Sequence, residues 1–115
     1  MTSPAVFVID ELVARPGEGE RVISNYLDRY APGAKARGMT LERVLVSPPV
    51  WLDDQPNTIS ILWRVDGAGG WWGMRVAAGA DPDVAAFWDA AEARLLSRRR
   101  SFAAAPEDIE ALNRV

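Results

Sequence analysis

The chain has 115 residues, 49% of them hydrophobic and 25% charged, with a formal net charge of −3, which fits one globular domain with a modest core. The weak negative charge argues against nucleic acid as a partner; with no apolar run near the roughly 20 residues that cross a bilayer and no signal-peptide layout, no membrane is expected as a partner and a cytoplasmic location is. The chain contains no histidine and no cysteine, so a Ser-His-Asp triad, a thiol nucleophile, His-ligated haem and thiolate or His-containing zinc sites are excluded, and no metal and no cofactor is expected.

In chain order, "AVFVIDELVA" (5–14) reads as a strand with Ala5, Phe7 and Ile9 on one face and Val6 and Val8 on the other. Both faces are apolar, as in a central strand. A helix follows from Pro16, with Glu18 and Glu20 near its start and Ile23, Leu27 and Tyr30 spaced at i, i+4 and i+7; Pro32-Gly33 should break or kink it. Residues 39–52 alternate Leu41, Arg43 and Leu45 against Glu42, Val44 and Val46, a strand that stops at Pro48-Pro49. "TISILWRV" (58–65) is a further strand, with Ile59, Ile61, Trp63 and Val65 on one side. After "DGAGG", "WWGMRVAAGA" reads as a short helix ending near Gly79. "DPDVAAFWDAAEARLLSRR" is the clearest helix: Asp81 caps it, Pro82 opens it, Val84, Trp88, Ala91 and Leu95 form its stripe, and Arg94 and Arg98 suit its C-terminal end. The run Arg98-Arg99-Arg100 reads as a solvated helix end. A last strand is expected around Arg100 to Ala104, completing one domain over 1–104, and a polar tail with one helical turn from Pro106 over 105–115.

Strand, helix, strand, strand, helix pair, strand is the split β-α-β order of the α+β class: a four-stranded antiparallel sheet with helices on one face and the other face bare. A second copy is the simplest cover for that bare face, which gives a homodimer. In element order and in the stretches "RYAPGAKARGM", "NTISILWRV" and "WWGMR" with "DPDVAAFW", the sequence resembles the dimeric α/β-barrel superfamily of ferredoxin-like proteins. Its members include small antibiotic-biosynthesis monooxygenases, polyketide cyclases and haem-degrading or haem-binding enzymes. The resemblance implies a dimer closed into a barrel and a ligand cavity between each sheet and its own helices. Haem relatives typically ligate iron through histidine and cyclase relatives often rely on one, which this chain lacks. Asn57 with Trp63 is similar to the asparagine and tryptophan that monooxygenase relatives carry in the middle strands.

Four of the five tryptophans, Trp63, Trp71, Trp72 and Trp88, fall on elements that would wall such a cavity. They are read either as core or as ligand-binding residues together with Asn57. Arg75, one turn beyond Trp71, can stack on that indole or reach the cavity mouth to hold a carboxylate or enolate oxygen. Arg64 lies on a strand covered on both faces and needs a partner, for which Asp10 and Glu11 are the natural candidates. Tyr26 and Tyr30 are possible acids or hydrogen-bond donors, and Glu42 is a weaker carboxylate candidate. Two functions follow. One is a cofactor-independent enzyme acting on a hydrophobic aromatic or polycyclic oxygenated small molecule, a cyclase, isomerase or monooxygenase, with Arg64, Arg75 and Tyr26 as its catalytic groups. The other is a non-catalytic small-molecule-binding or structural homodimer.

Overall fold

The computed structural model describes residues 4–113. Its sheet contains β1 (Ala5–Ala14), β2 (Thr40–Ser47), β3 (Thr58–Asp66) and β4 (Leu95–Ala103), ordered β2-β3-β1-β4 with every neighbouring pair antiparallel. Between β1 and β2 run α1 (Gly19–Asn25), a π-helical segment (Tyr26–Tyr30) and α2 (Ala31–Ala36). Between β3 and β4 run α3 (Gly67–Ala80) and α4 (Pro82–Ala91), and after β4 come a 3-10 turn and α5 (Ile109–Leu112). This is the ferredoxin-like α+β architecture that the element order predicts, with β1 central.

Alternation along the strands sets the two faces. Val8, Leu12 and Ala14 of β1 and Ile59, Ile61, Trp63 and Val65 of β3 are buried and form one core with Tyr26, Tyr30, Met74 and Trp88 from the helical layer; Val6 is also buried. The opposite face carries Phe7, Ile9, Val13 and Leu62 half-buried and Leu45 56% exposed, so among the described residues this apolar sheet face has no cover. The protein is accordingly a slab of 47 × 30 × 18 Å. Its radius of gyration is 15.1 Å, against about 13 Å for a compact domain of this size.

Several local departures from the sequence reading have physical causes. Pro32 does not end the first helix. It opens α2 directly after the wide π turn, which relieves the backbone of the hydrogen bond a proline cannot donate. The same turn brings Tyr26 and Tyr30 to the core side and leaves Leu27 39% exposed, contrary to the apolar stripe expected of it. On β2 a bulge between Leu41 and Arg43 breaks simple alternation, so Leu41 and Val44 pack together against the core. Gly67, at φ +67°, turns the chain straight from β3 into α3, which begins four residues before Trp71 and takes in the glycines expected to precede it.

The largest departure is at the end of the last helix. α4 stops at Ala91, a 3-10 turn covers Glu92–Arg94, and Leu95 is already on β4. Leu95 therefore does not belong to a helical stripe, and Arg98, Arg99 and Arg100 are not a solvated helix end. They pair in register with Leu12, Glu11 and Asp10 of β1. The backbone groups on that edge of β1 need partners, and satisfying them along nine residues outweighs the modest helix preference of "EARLLSRR".

Asn57 precedes β3 and is 1% exposed. Its amide donates to the carbonyls of Val50 (2.8 Å) and Pro48 (3.4 Å), and its oxygen accepts from the Leu52 N–H (3.0 Å), pinning the loop between β2 and β3. Asn57→Ala is expected to lower stability by about 1–3 kcal/mol in thermal or urea unfolding, because a buried side chain that satisfies three loop groups is removed. Unchanged stability with altered ligand binding would instead place Asn57 in a site.

Candidate functional site

Asp10 is the one charged side chain on the inward face of β1, 2% exposed among Val8, Leu12 and their neighbours. A carboxylate there must be fully compensated. Arg100, directly opposite in register on β4, grips it with both atoms of one guanidinium edge, Nε to Oδ1 at 2.6 Å and Nη2 to Oδ2 at 2.8 Å. The Tyr26 hydroxyl donates to Asp10 Oδ2 at 2.7 Å and accepts from the Trp63 indole N–H at 2.6 Å, and Arg100 Nη2 also donates to the Tyr30 hydroxyl at 2.6 Å. The result is a closed chain of polar groups, Trp63 to Tyr26 to Asp10 to Arg100 to Tyr30, inside the layer between sheet and helices.

The electrostatics fix the protonation of this chain. Burial, reinforced by the negative charge of Asp10, pushes the Tyr26 hydroxyl well above its ordinary value, so it stays protonated and cannot serve as a base. Burial opposes the charge on Arg100, but its hydrogen bonds to Asp10 and the charge of that carboxylate outweigh it and hold the guanidinium above its ordinary value. The space around the chain is filled. Tyr26, Tyr30, Phe87 and Trp88 pack with ring centroids 4.9–6.2 Å apart, and Arg98 lies over Trp88 at 4.3 Å. The void beside Leu12, Val22 and Trp88 is about 10 Å³, room for a single water at most.

The second aromatic cluster is at the end of the sheet where β1 starts and β4 finishes. α3 sets Trp71 half-buried against the core and Trp72 54% exposed, with the two rings 4.9 Å apart and Phe102 of β4 at 5.4 Å from Trp71, edge to face. The Arg75 guanidinium lies 5.0 Å from the Trp71 ring and 5.7 Å from both Trp72 and Phe102. Among the described residues no carboxylate forms an ion pair with it. These rings wall an open cleft of about 400 Å³, mainly apolar, with Val6 on the sheet side and Ile109 and Leu112 of α5 opposite. The Trp71 indole N–H is buried without an acceptor among the described residues. A cleft of this size, walled by stacked rings that carry a cation without a carboxylate partner among the described residues, suits a flat organic molecule with an electron-rich oxygen.

The residues singled out from the sequence are thus dispersed. Trp63, Trp88 and Tyr26 are in the packed interior, Trp71, Trp72 and Arg75 are at the cleft, and Asn57 holds a loop. Arg64 is on the uncovered face, 44% exposed at its side chain, and pairs at 3.6 Å with Glu42 and with Asp66. The partners expected for it, Asp10 and Glu11, are not its partners: Asp10 points to the other side of the sheet and is engaged by Arg100. Sequence reasoning missed the Asp10–Arg100 pair itself. Its signal was an acid in the inward register of Val6, Val8 and Leu12, a position that demands a buried cation.

No protein-family model matches the sequence, and no curated protein matches it. Solved structures do match in fold. A NIPSNAP domain protein from Burkholderia xenovorans is 15% identical with a TM-score of 0.69, over 87% of this chain and 93% of its own. A NIPSNAP family protein from Agrobacterium tumefaciens is 13% identical with a TM-score of 0.69, over 93% and 90%. A candidate antibiotic biosynthesis monooxygenase from Caulobacter crescentus is 14% identical with a TM-score of 0.64, over 90% and 92%. At these identities the likeness establishes the fold, which fits the superfamily that the sequence resembles.

Proposed function

We propose that the chain is a homodimeric small-molecule-binding protein whose ligand, a planar hydrophobic molecule with an acidic or enolisable oxygen, lies in the cleft between α3 and the paired ends of β1 and β4. The observation that carries this reading is Arg75, a guanidinium stacked on three aromatic rings that themselves line an apolar cleft, with no carboxylate of its own among the described residues. A ring system lying against Trp72 and Phe102 would bring its oxygen towards Arg75. The dimer is proposed through the bare sheet face, where Phe7, Ile9, Leu45 and Leu62 would meet their counterparts.

Turnover is the second reading, and the same geometry favours it. A fixed cation beside an oxygen that gains negative charge during enolisation or phenolate formation lowers the barrier to that proton loss. Tyr26 and Arg64 have no part in it, since one is locked in the core and the other is on the opposite face. Titration with a hydroxyanthraquinone, followed by tryptophan fluorescence, tests the binding. Trp72→Ala and Arg75→Met are each expected to weaken it at least about tenfold while changing stability by less than about 1 kcal/mol. Equal binding by both variants would overturn the assignment.

A further inference from the structure

Arg37 caps the C-terminal end of α2. Its side chain is 8% exposed, and its Nε and Nη2 atoms are buried with no hydrogen-bond partner among the described residues. The remaining nitrogen, Nη1, is 3.5 Å from Asp81 Oδ2, and the other oxygen of Asp81 is committed to capping α4 through the Asp83 N–H. Nε and Nη2 form the edge that binds planar oxyanions in bidentate fashion. This protein shows the same edge filled elsewhere: Arg100 uses Nε and Nη2 to hold Asp10 at 2.6 and 2.8 Å. A buried guanidinium edge left without acceptors is costly, and such an exception in a folded protein calls for an occupant.

The surroundings specify what kind. Arg37 folds back over Gly33, where a side chain would begin 3.1 Å from Nη1, and its guanidinium comes within 5.6 Å of the Tyr30 ring. The Arg100 guanidinium is 5.5 Å from the same ring, so two cations flank Tyr30 while only one of them has a full carboxylate partner. Phe87 and Trp88 are 5.4 and 5.3 Å from Tyr30. An acceptor arriving here meets positive charge and aromatic faces. Its cover is the joint between α3 and α4 that carries Asp81. On α3, Gly69, Gly73 and Gly79 face open space, whereas a side chain at Gly70 would begin 3.1 Å from Val65.

We propose that Arg37 anchors a second ligand site, distinct from the cleft walled by Trp71 and Trp72, which takes a small aromatic carboxylate: the carboxylate on the Nε/Nη2 edge, and the ring in the space that opens when the α3–α4 joint around Asp81 lifts. Benzoate is the probe and benzyl alcohol its uncharged counterpart, with arginine side-chain Nε–H NMR signals as the readout on the unmodified chain. Benzoate is expected to shift the Arg37 signal saturably, with a dissociation constant below about 10 mM. Benzyl alcohol leaves it in place, and Arg75→Met does not alter the response. Arg37→Met should weaken the benzoate response of the Tyr30 ring signals at least about tenfold. If that variant fails to fold, the unmodified spectrum alone decides. An Arg37 signal that ignores benzoate, or that moves equally with the alcohol, overturns the proposal, whereas a response confined to Arg75 would overturn it and leave the α3 cleft standing.

Discussion

Asp10→Ala is expected to destabilise the protein by about 3–5 kcal/mol in urea unfolding, because it strands Arg100 and leaves the Tyr26 hydroxyl without its acceptor in a dry interior. Asp10→Asn combined with Arg100→Met should cost less than the sum of the two single changes, since the pair is directly coupled. The network also gives the stability a pH dependence with a definite sign. The folded state holds the Tyr26 proton above the ordinary value of 10.0, so this contribution is complete below pH 10.0 and is lost as the pH rises beyond it. Tyr26→Phe should remove that alkaline component. A loss below about 1 kcal/mol for Asp10→Ala would mean that the network is incidental to the fold.

The uncovered sheet face leads to the second large effect. A mass of about twice 12.6 kDa is expected at micromolar concentration, with more than about 1,000 Å² buried in the interface. Ile9 is on the central strand, opposite Leu62 of β3 and Ser101 of β4 in register. Ile9→Glu would bury an unpaired carboxylate at the centre of the contact, and the dimer should weaken at least about 100-fold while the circular dichroism stays that of the folded chain. A monomeric unmodified protein under these conditions would refute the proposed assembly.

How much of this was legible in the sequence depends on whether the determining interactions are local. Alternation in "TISILWRV", the Asp81-Pro82 helix start and the glycine exit after Asp66 are local signals, and each leads to the observed element. The end of α4 is decided by pairing with β1, some 85 residues earlier, so "EARLLSRR" kept its helical reading until a strand claimed it. The π turn was equally hidden, because a helix interrupted by Pro32 can break or widen and only the tyrosine partners inside the core settle which. For the site, the stacking of Arg75 on Trp71 follows from helical spacing. The separation of Trp71 and Trp72 from Trp63 and Trp88 does not, because it depends on which end of the sheet α3 crosses. Arg37 and Arg100 gave no sign beyond their charge. An arginine's role is set by what it folds against, and for both of these the partner is distant in sequence or still to be supplied.

The most direct test of the α3 cleft is fluorine NMR on protein labelled with 5-fluorotryptophan, titrated with a hydroxyanthraquinone. The five tryptophans report separately on the loop, the core and the cleft. Saturable shifts at Trp71 and Trp72, with Trp63 and Trp88 unmoved, are the expected result. Shifts confined to Trp63 and Trp88, or none at Trp71 and Trp72, would contradict it.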